Sequence, residues 1–285
     1  MSMKFHYECF PCILRQAIEA VDFLQIDERS KRKVINETMQ MLIDIDLTIT
    51  SAEIAALIHQ NIIKKTGGRD PYKDAKNKSL SKAFECYGYA KNLIKNASQP
   101  LETALRLCAA GNIIDFGPSS TFDLRKTIEN VLNEPFAEFA FEEFQIAMQK
   151  ANSILFLADN AGETVFDRLL IEEMQRPLTY VVKKDIIMND ATIIDAEQTN
   201  FPEYVTLIDN GSAIQGTVLQ HCSKEFVASF TTADMIISKG MANFETLAEE
   251  GKRSFFLLKI KCPTVAKIST IPNGSFVLKQ GGMLV

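Results

Sequence analysis

The chain lacks the glycine-rich loops that cradle phosphates: neither GxGxxG nor GxxxxGK[ST] occurs, so there is no dinucleotide fingerprint and no Walker loop. A GxSxG nucleophile elbow is missing too. With only His6, His59 and His221 and no HExxH, a histidine-rich zinc centre has little to draw on. No stretch approaches about 18 consecutive apolar residues, and the first residues, with His6, Glu8 and two cysteines, lack a signal-peptide pattern. A cytoplasmic protein without membrane contact is expected. Lys and Arg number 31 against 36 Asp and Glu, and the net charge of −5 argues against a nucleic-acid binder, which needs a concentrated basic surface to neutralise phosphates. The lone basic run, Lys31 to Lys33, reads as a solvated helix face. Six cysteines in 285 residues are too sparse for a disulfide framework, and Cys86, Cys108 and Cys222 read as apolar fillers.

What is present divides into two textures. From Phe10 to about Lys150 the pattern is helical: Ile13, Leu14, Ala17, Ile18 and Val21 recur at helical spacing, as do Ile35, Met39, Leu42 and Ile43, then Ile54, Ala55, Ile58, Ile62 and Ile63. Thr50 or Ser51 followed by Glu53 marks a helix start. From Ser153 onward, short apolar runs alternate with helical segments: SILFLAD, PLTYVVK, YVTLIDN, DMIISKG and SFFLLKIK. That alternation predicts an α/β fold with a Rossmann-like, doubly wound, mostly parallel sheet in residues 151–285, preceded by an all-helical domain in residues 1–150. The tail from Ser275 is expected to add an edge strand.

Polar residues gather where the strands end. Asp159 and Asn160 follow the first run; Asn189 and Asp190 follow Lys183 to Met188; Asp209 to Ser212 follow the third; Ser238, Lys239, Gly240, Asn243 and Glu245 follow the fourth; Lys259 and Lys261 close the fifth. In a parallel sheet all of these converge on one rim, the edge at which open α/β sheets bind ligands. Carboxylates and amide oxygens are hard donors, suited to Mg²⁺ or Mn²⁺ and poorly matched to zinc. In the helical half, AAGNIIDFG places Gly111, Asn112 and Asp115 inside an apolar helix pattern, where Gly and Asn each cost up to about 1 kcal/mol. Cys9-Phe10-Pro11-Cys12 sits at a helix start, a setting shared by redox motifs, half zinc sites and purely structural pairs.

Taken in order, ECFPCILRQA, DPY with Lys76 and Asn77, AAGNIIDFG, LADNAGETVFD, NDAT, SKGMANFET and LLKIKC resemble the damage-control phosphatase family, formerly domain-of-unknown-function family 89, over nearly the whole chain. The amino-terminal CxxC resembles its mainly prokaryotic subfamily. The resemblance implies a metal-dependent phosphatase acting on small phosphorylated metabolites, with a helical amino-terminal part packed on a Rossmann-like domain. It implies a divalent cation, Mg²⁺ or Mn²⁺ with Co²⁺ or Ni²⁺ as further options, held by Asp159, Asn160 and Asp190. Asn112 and Asp115 would line the cleft from the helical side. Glu245, with Asn243 beside it, matches the Asn-x-Glu motif, and Lys261, in preference to Lys259, matches the family lysine. On that scheme Lys261 neutralises phosphoryl charge, and backbone N–H groups near Gly162 and Gly240 add to the cradle. Glu163, Asn189, Asn112 and Asn243 serve the substrate, and Asp115 or Glu245 carries the proton. A phosphoaspartate route on Asp159 fits less well, because the second aspartate it needs two residues on is Ala161. An S-adenosylmethionine-dependent carboxyl methyltransferase and a non-catalytic phosphometabolite-binding protein stand as the alternatives.

Overall fold

A computed structural model describes residues 5–111 and 124–282. Asn112 and Asp115 lie outside the described residues. The helical half opens with α1 (Cys9–Phe23), α2 (Glu28–Ile43) and α3 (Ser51–Lys65), followed by α4 (Lys73–Lys95), α5 (Pro100–Gly111) and α6 (Leu124–Asn133). Then come β1 (Glu138–Phe139), α7 (Phe141–Lys150), β2 (Ile154–Leu157), α8 (Thr164–Met174), β3 (Leu178–Val182), α9 (Ile193–Glu197) and β4 (Val205–Asp209). The chain ends with α10 (Lys224–Thr232), β5 (Met235–Lys239), α11 (Met241–Leu247), β6 (Ser254–Lys259), α12 (Pro263–Ser269) and β7 (Phe276–Gln280).

Local chemistry accounts for several of these boundaries. Thr50 caps α3 in a reciprocal box: its hydroxyl accepts from the Glu53 N–H at 3.2 Å, and the Glu53 carboxylate accepts from the Thr50 N–H at 2.8 Å. Thr192 and Asp195 repeat the box at α9. Pro263 occupies the first turn of α12, where a missing N–H costs nothing.

The sheet runs β1-β7-β6-β5-β2-β3-β4, with β2 to β6 mutually parallel and β7 antiparallel to β6. The expected doubly wound sheet is therefore present. Its order reverses between β2 and β5, the switch point that opens a crevice at the carboxyl ends of these two strands. The apolar runs are buried on both faces: Ile154 and Phe156 pack into one core with α4, α5 and α8, while Leu155 and Leu157 pack into a second with α10 and α11. Two features differ from expectation. The carboxyl-terminal strand is not an edge, because β1, drawn from the stretch read as helical, adds outside it in parallel. Two paired residues are too short to register as periodicity, so nothing in the local pattern announces β1.

A third core belongs to α1, α2 and α3, where Ile13, Ala17, Val21, Val34, Leu42, Ile54, Ile58 and Ile62 meet. This three-helix unit touches the rim through Ser51, which donates to Glu245 at 3.2 Å, and through Glu53, 2.9 Å from His221 Nε2. No helix of the described residues is long and apolar enough to cross a membrane.

Candidate metal and phosphate site

β2 ends at Leu157, and the chain turns out of the sheet through Ala158 and Asp159 into a 3-10 turn, Ala161–Glu163. The loop after β3 comes alongside. Asn160 and Asp190 form an isolated antiparallel bridge, Ala161 N–H donates to the Asn189 carbonyl at 2.9 Å, and Ala191 N–H donates to the Asp159 carbonyl at 2.8 Å. These backbone bonds hold Asp159, Asn160 and Asp190 as neighbours at the switch point. Gly240, directly after β5, has φ +81°, and a Cβ there would stand 2.0 Å from Asp159 Oδ2, so only glycine lets the carboxylate lie against that backbone.

Negative charge accumulates here faster than it is neutralised. Loss of water, with Glu163 and Asp190 adding their charges, holds the Asp159 carboxyl well above the usual range against the pull of Lys261 and Lys239. Burial lifts Asp190 to about 6, with Lys183 opposing. Asp190 Oδ2 is buried and accepts no hydrogen bond; Lys183 Nζ stands 3.8 Å away and donates to the Gly216 carbonyl. Gln215 Nε2 approaches the other oxygen at 3.5 Å. Two crowded carboxylates with an amide between them, one carboxylate oxygen lacking any hydrogen bond, fit a hard divalent cation.

The profile of the damage-control phosphatase ARMT1-like domain matches residues 5–277. The chain belongs to that family. The phosphatase is 33% identical over 282 residues to a damage-control phosphatase of Pyrococcus horikoshii, covering 96% of this chain and 97% of that one. It is 34% identical over 291 residues to an uncharacterized protein of Methanocaldococcus jannaschii, covering 97% and 95% respectively. Its fold is similar to the crystal structure of a DUF89 family protein from Pyrococcus horikoshii, with a TM-score of 0.89 at 31% identity over 98% of this chain and 99% of that one. Membership makes this chain a phosphatase and implies a divalent metal and a small phosphorylated substrate.

Around this candidate site the remaining expected residues fall into different settings. Lys261 is exposed, and its charge is felt at Asp159 and Glu163. Lys259 instead lays its ammonium over the Phe276 ring, 4.6 Å from the centroid. Glu245 stands where α11 meets the amino-terminal helices, and burial pushes its carboxyl up to about 7. Asn189 is half-buried and lends its carbonyl to Ala161. Three residues expected on the substrate side are taken up by hydrogen bonds or packing within the protein. The Asn243 amide donates to the Ala158 and Lys239 carbonyls at 3.0 and 2.8 Å, and its oxygen accepts from Thr217 at 2.7 Å. Glu163 is buried with both oxygens engaged. Gly162 is closed off by α4, since a Cβ there would meet Ser79 Cβ at 2.6 Å; its glycine serves helix packing. Gly111 is accounted for similarly: a Cβ would lie 3.3 Å from Phe166 Cβ and 3.5 Å from Glu163 Cβ, so α5 approaches α8 closely there.

Sequence reading missed Lys183, Gln215, Thr217 and Asp167. A lysine ending the buried run LTYVVK was the available signal for Lys183; Gln215 and Thr217 lie in a loop with no pattern. Cys9 and Cys12 occupy the first turn of α1, and burial, with Glu245, Cys262 and Cys12 adding, raises the Cys9 thiol against the His6 hydrogen bond, the opposite of an activated thiolate. Among the described residues no group of three or more His, Cys, Asp or Glu is placed to hold a metal, and the site proposed below draws on two aspartates and an asparagine.

Proposed function

We propose that the phosphatase hydrolyses small phosphorylated metabolites, such as sugar phosphates or damaged phosphometabolites, at a divalent cation held by Asp159, Asn160 and Asp190. The observation that carries this reading is the buried Asp190 oxygen without a hydrogen bond, set beside Asp159 and Asn160 at the switch point. When bound, such a cation supplies Lewis acidity toward the phosphoryl group and the attacking water. Lys261 extends from the end of β6 and offsets charge on the phosphoryl oxygens, a reading supported by its influence on Asp159 and Glu163. Glu245, whose carboxyl holds a proton up to about pH 7, delivers it to the departing oxygen. Asn112 and Asp115, outside the described residues, take the substrate and proton-carrying roles that the family motif implies.

The test is phosphate release after chelator treatment, from a panel of sugar phosphates and other phosphometabolites, with Mg²⁺, Mn²⁺, Co²⁺ or Ni²⁺ restored one at a time. Metal-dependent release that vanishes in Asp159→Ala is expected. Release that persists without metal, or survives the substitution, would overturn the assignment.

A further inference from the structure

We propose that Glu163 is a positioning residue for Asn160: held by Lys239, it turns the Asn160 amide so that the carbonyl oxygen faces the cation site. The proposal rests on the reading of Asn160 as a metal ligand and goes on to say what makes it one. An asparagine amide has a donor end and an acceptor end, and only the acceptor end can bind a cation. Nothing in the residue itself decides which end faces the site.

Here the surroundings decide it. Asn160 Nδ2 lies 2.7 Å from Glu163 Oε1 and 3.1 Å from Asp159 Oδ2. The Glu163 carboxylate is ionised and only accepts, and Asp159 Oδ2 lies at the same nitrogen, so the amide hydrogens are directed at these two oxygens and Oδ1 is left facing the other way. Glu163 is itself held. Its second oxygen accepts from Lys239 Nζ at 2.9 Å, and the same ammonium donates to Asp167 at 2.5 Å. Asp167 accepts further from Tyr180 at 2.7 Å and from the Cys108 thiol at 3.1 Å. Lys239 is 0% and Glu163 1% exposed, so neither is available to a substrate. Asn243 fastens the Lys239 backbone to the end of β2, so donor and acceptor keep their separation.

The consequence of Glu163→Gln follows from donor and acceptor counting. Lys239 has donors only, so the new side chain must turn its oxygen to Lys239 and its NH₂ toward Asn160. Two NH₂ groups cannot face one another, so Asn160 is pushed off this partner, keeps at most its longer bond to Asp159, and its carbonyl is no longer held toward the cation. Adding Asn160→Asp repairs this. The new aspartate accepts from Gln at 163 with one oxygen and offers the other to the cation. A merely structural role for Glu163 predicts no such repair.

The experiment is calorimetric titration of Mn²⁺ into metal-stripped wild type, Glu163→Gln, Asn160→Asp and the double variant, with folding checked by circular dichroism. Glu163→Gln should weaken Mn²⁺ binding about 10–100-fold, as loss of a ligand-orienting partner does. The double variant should return to within a few-fold of wild type while Asn160→Asp alone does not. Unchanged Mn²⁺ affinity in folded Glu163→Gln, or a double variant no better than that single one, overturns the proposal. Should Gln at 163 prevent folding, Glu163→Asp, which keeps the charge for Lys239 and withdraws it from Asn160, should show the same weakening, and wild-type affinity there overturns it. Wild type that binds no Mn²⁺, or Asn160→Ala that binds as wild type does, overturns the ligand reading itself and the proposal with it.

Discussion

Two layers of buried charge meet at the carboxyl ends of β2 and β5, a paired lower one and a crowded upper one, and they are built on different terms. In the lower layer the Lys239 ammonium joins Glu163 and Asp167, and Tyr180 and Cys108 supply further donors. Burial works against both carboxylates: at Glu163 Lys239, with help from Lys261 and Asn160, outweighs it and keeps the group below its ordinary range, while at Asp167 burial prevails over Lys239 and the group is raised. In the upper layer Asp159 and Asp190 are both raised, chiefly by loss of water, and one Asp190 oxygen has no hydrogen bond. The same residue types thus hold in one layer and wait in the other. Buried charge that is paired fixes geometry, whereas crowded charge with an open valence is costly until a cation arrives.

The sharpest break in this contrast is Asp159→Asn. Activity should fall on the order of 10⁴-fold, about 5.5 kcal/mol of transition-state stabilisation, because a charged ligand is lost. Stability of the metal-free protein should move the other way. A carboxyl whose folded pKa is raised contributes most when protonated, and that contribution is lost as pH rises through the folded value. Urea titrations of the metal-free proteins should therefore show Asn at 159 gaining on wild type as pH rises from 5 to 8. Saturating Mn²⁺ should reverse the order, since binding stabilises only a protein with an intact site. A wild type more stable than the variant without metal at pH 8 would sink the idea of an upper layer under charge stress.

Lys239→Met tests the lower layer. It leaves Glu163 and Asp167 buried without their shared cation, and breaking a buried pair from one side costs about 3–5 kcal/mol. Urea unfolding at pH 7.5 reads the loss directly. A cost below about 1 kcal/mol would mean the network is held by its neighbours rather than by the lysine.

The contrast between layers also separates what the sequence discloses from what it hides. Runs such as ILFL and MIIS, buried on both faces, are visible as uninterrupted apolar stretches, and Asp159, Asn160 and Asp190 are visible as polar residues where such runs stop. Pairing is not visible. Lys239 and Glu163 stand in the same strand-end clusters as the upper-layer residues, and only the direction in which a 3-10 turn and a strand end aim their side chains joins them in an ion pair. Gly162 and Gly240 illustrate the same limit. Both look like parts of a phosphate cradle, yet one admits Ser79 and the other admits the Asp159 carboxylate. These are contacts between residues 83 and 81 positions apart, respectively, which no local pattern can report.

A third kind of buried polar group sharpens the comparison, because it is unpartnered without being charged. His59 in α3 is 1% exposed, packs against the Tyr72 ring at 5.9 Å, and has neither ring nitrogen in a hydrogen bond. Burial lowers its pKa to about 4, so it stays neutral inside the three-helix core. A base with a lowered folded pKa takes up its proton more readily when unfolded, so stability is lost as pH falls from about 6.5 toward 4. Between pH 7 and pH 5 the loss is about 2 kcal/mol. His59→Phe removes the titration and the two unpaired nitrogens while keeping an aromatic ring against Tyr72. The variant should be no less stable than wild type at pH 7 and about 2 kcal/mol more stable relative to it at pH 5, read by urea midpoints at the two pH values. Equal acid sensitivity in both proteins would assign the acid response to the carboxylates of the rim, and the contrast between charged and uncharged unpartnered groups would lose its third member.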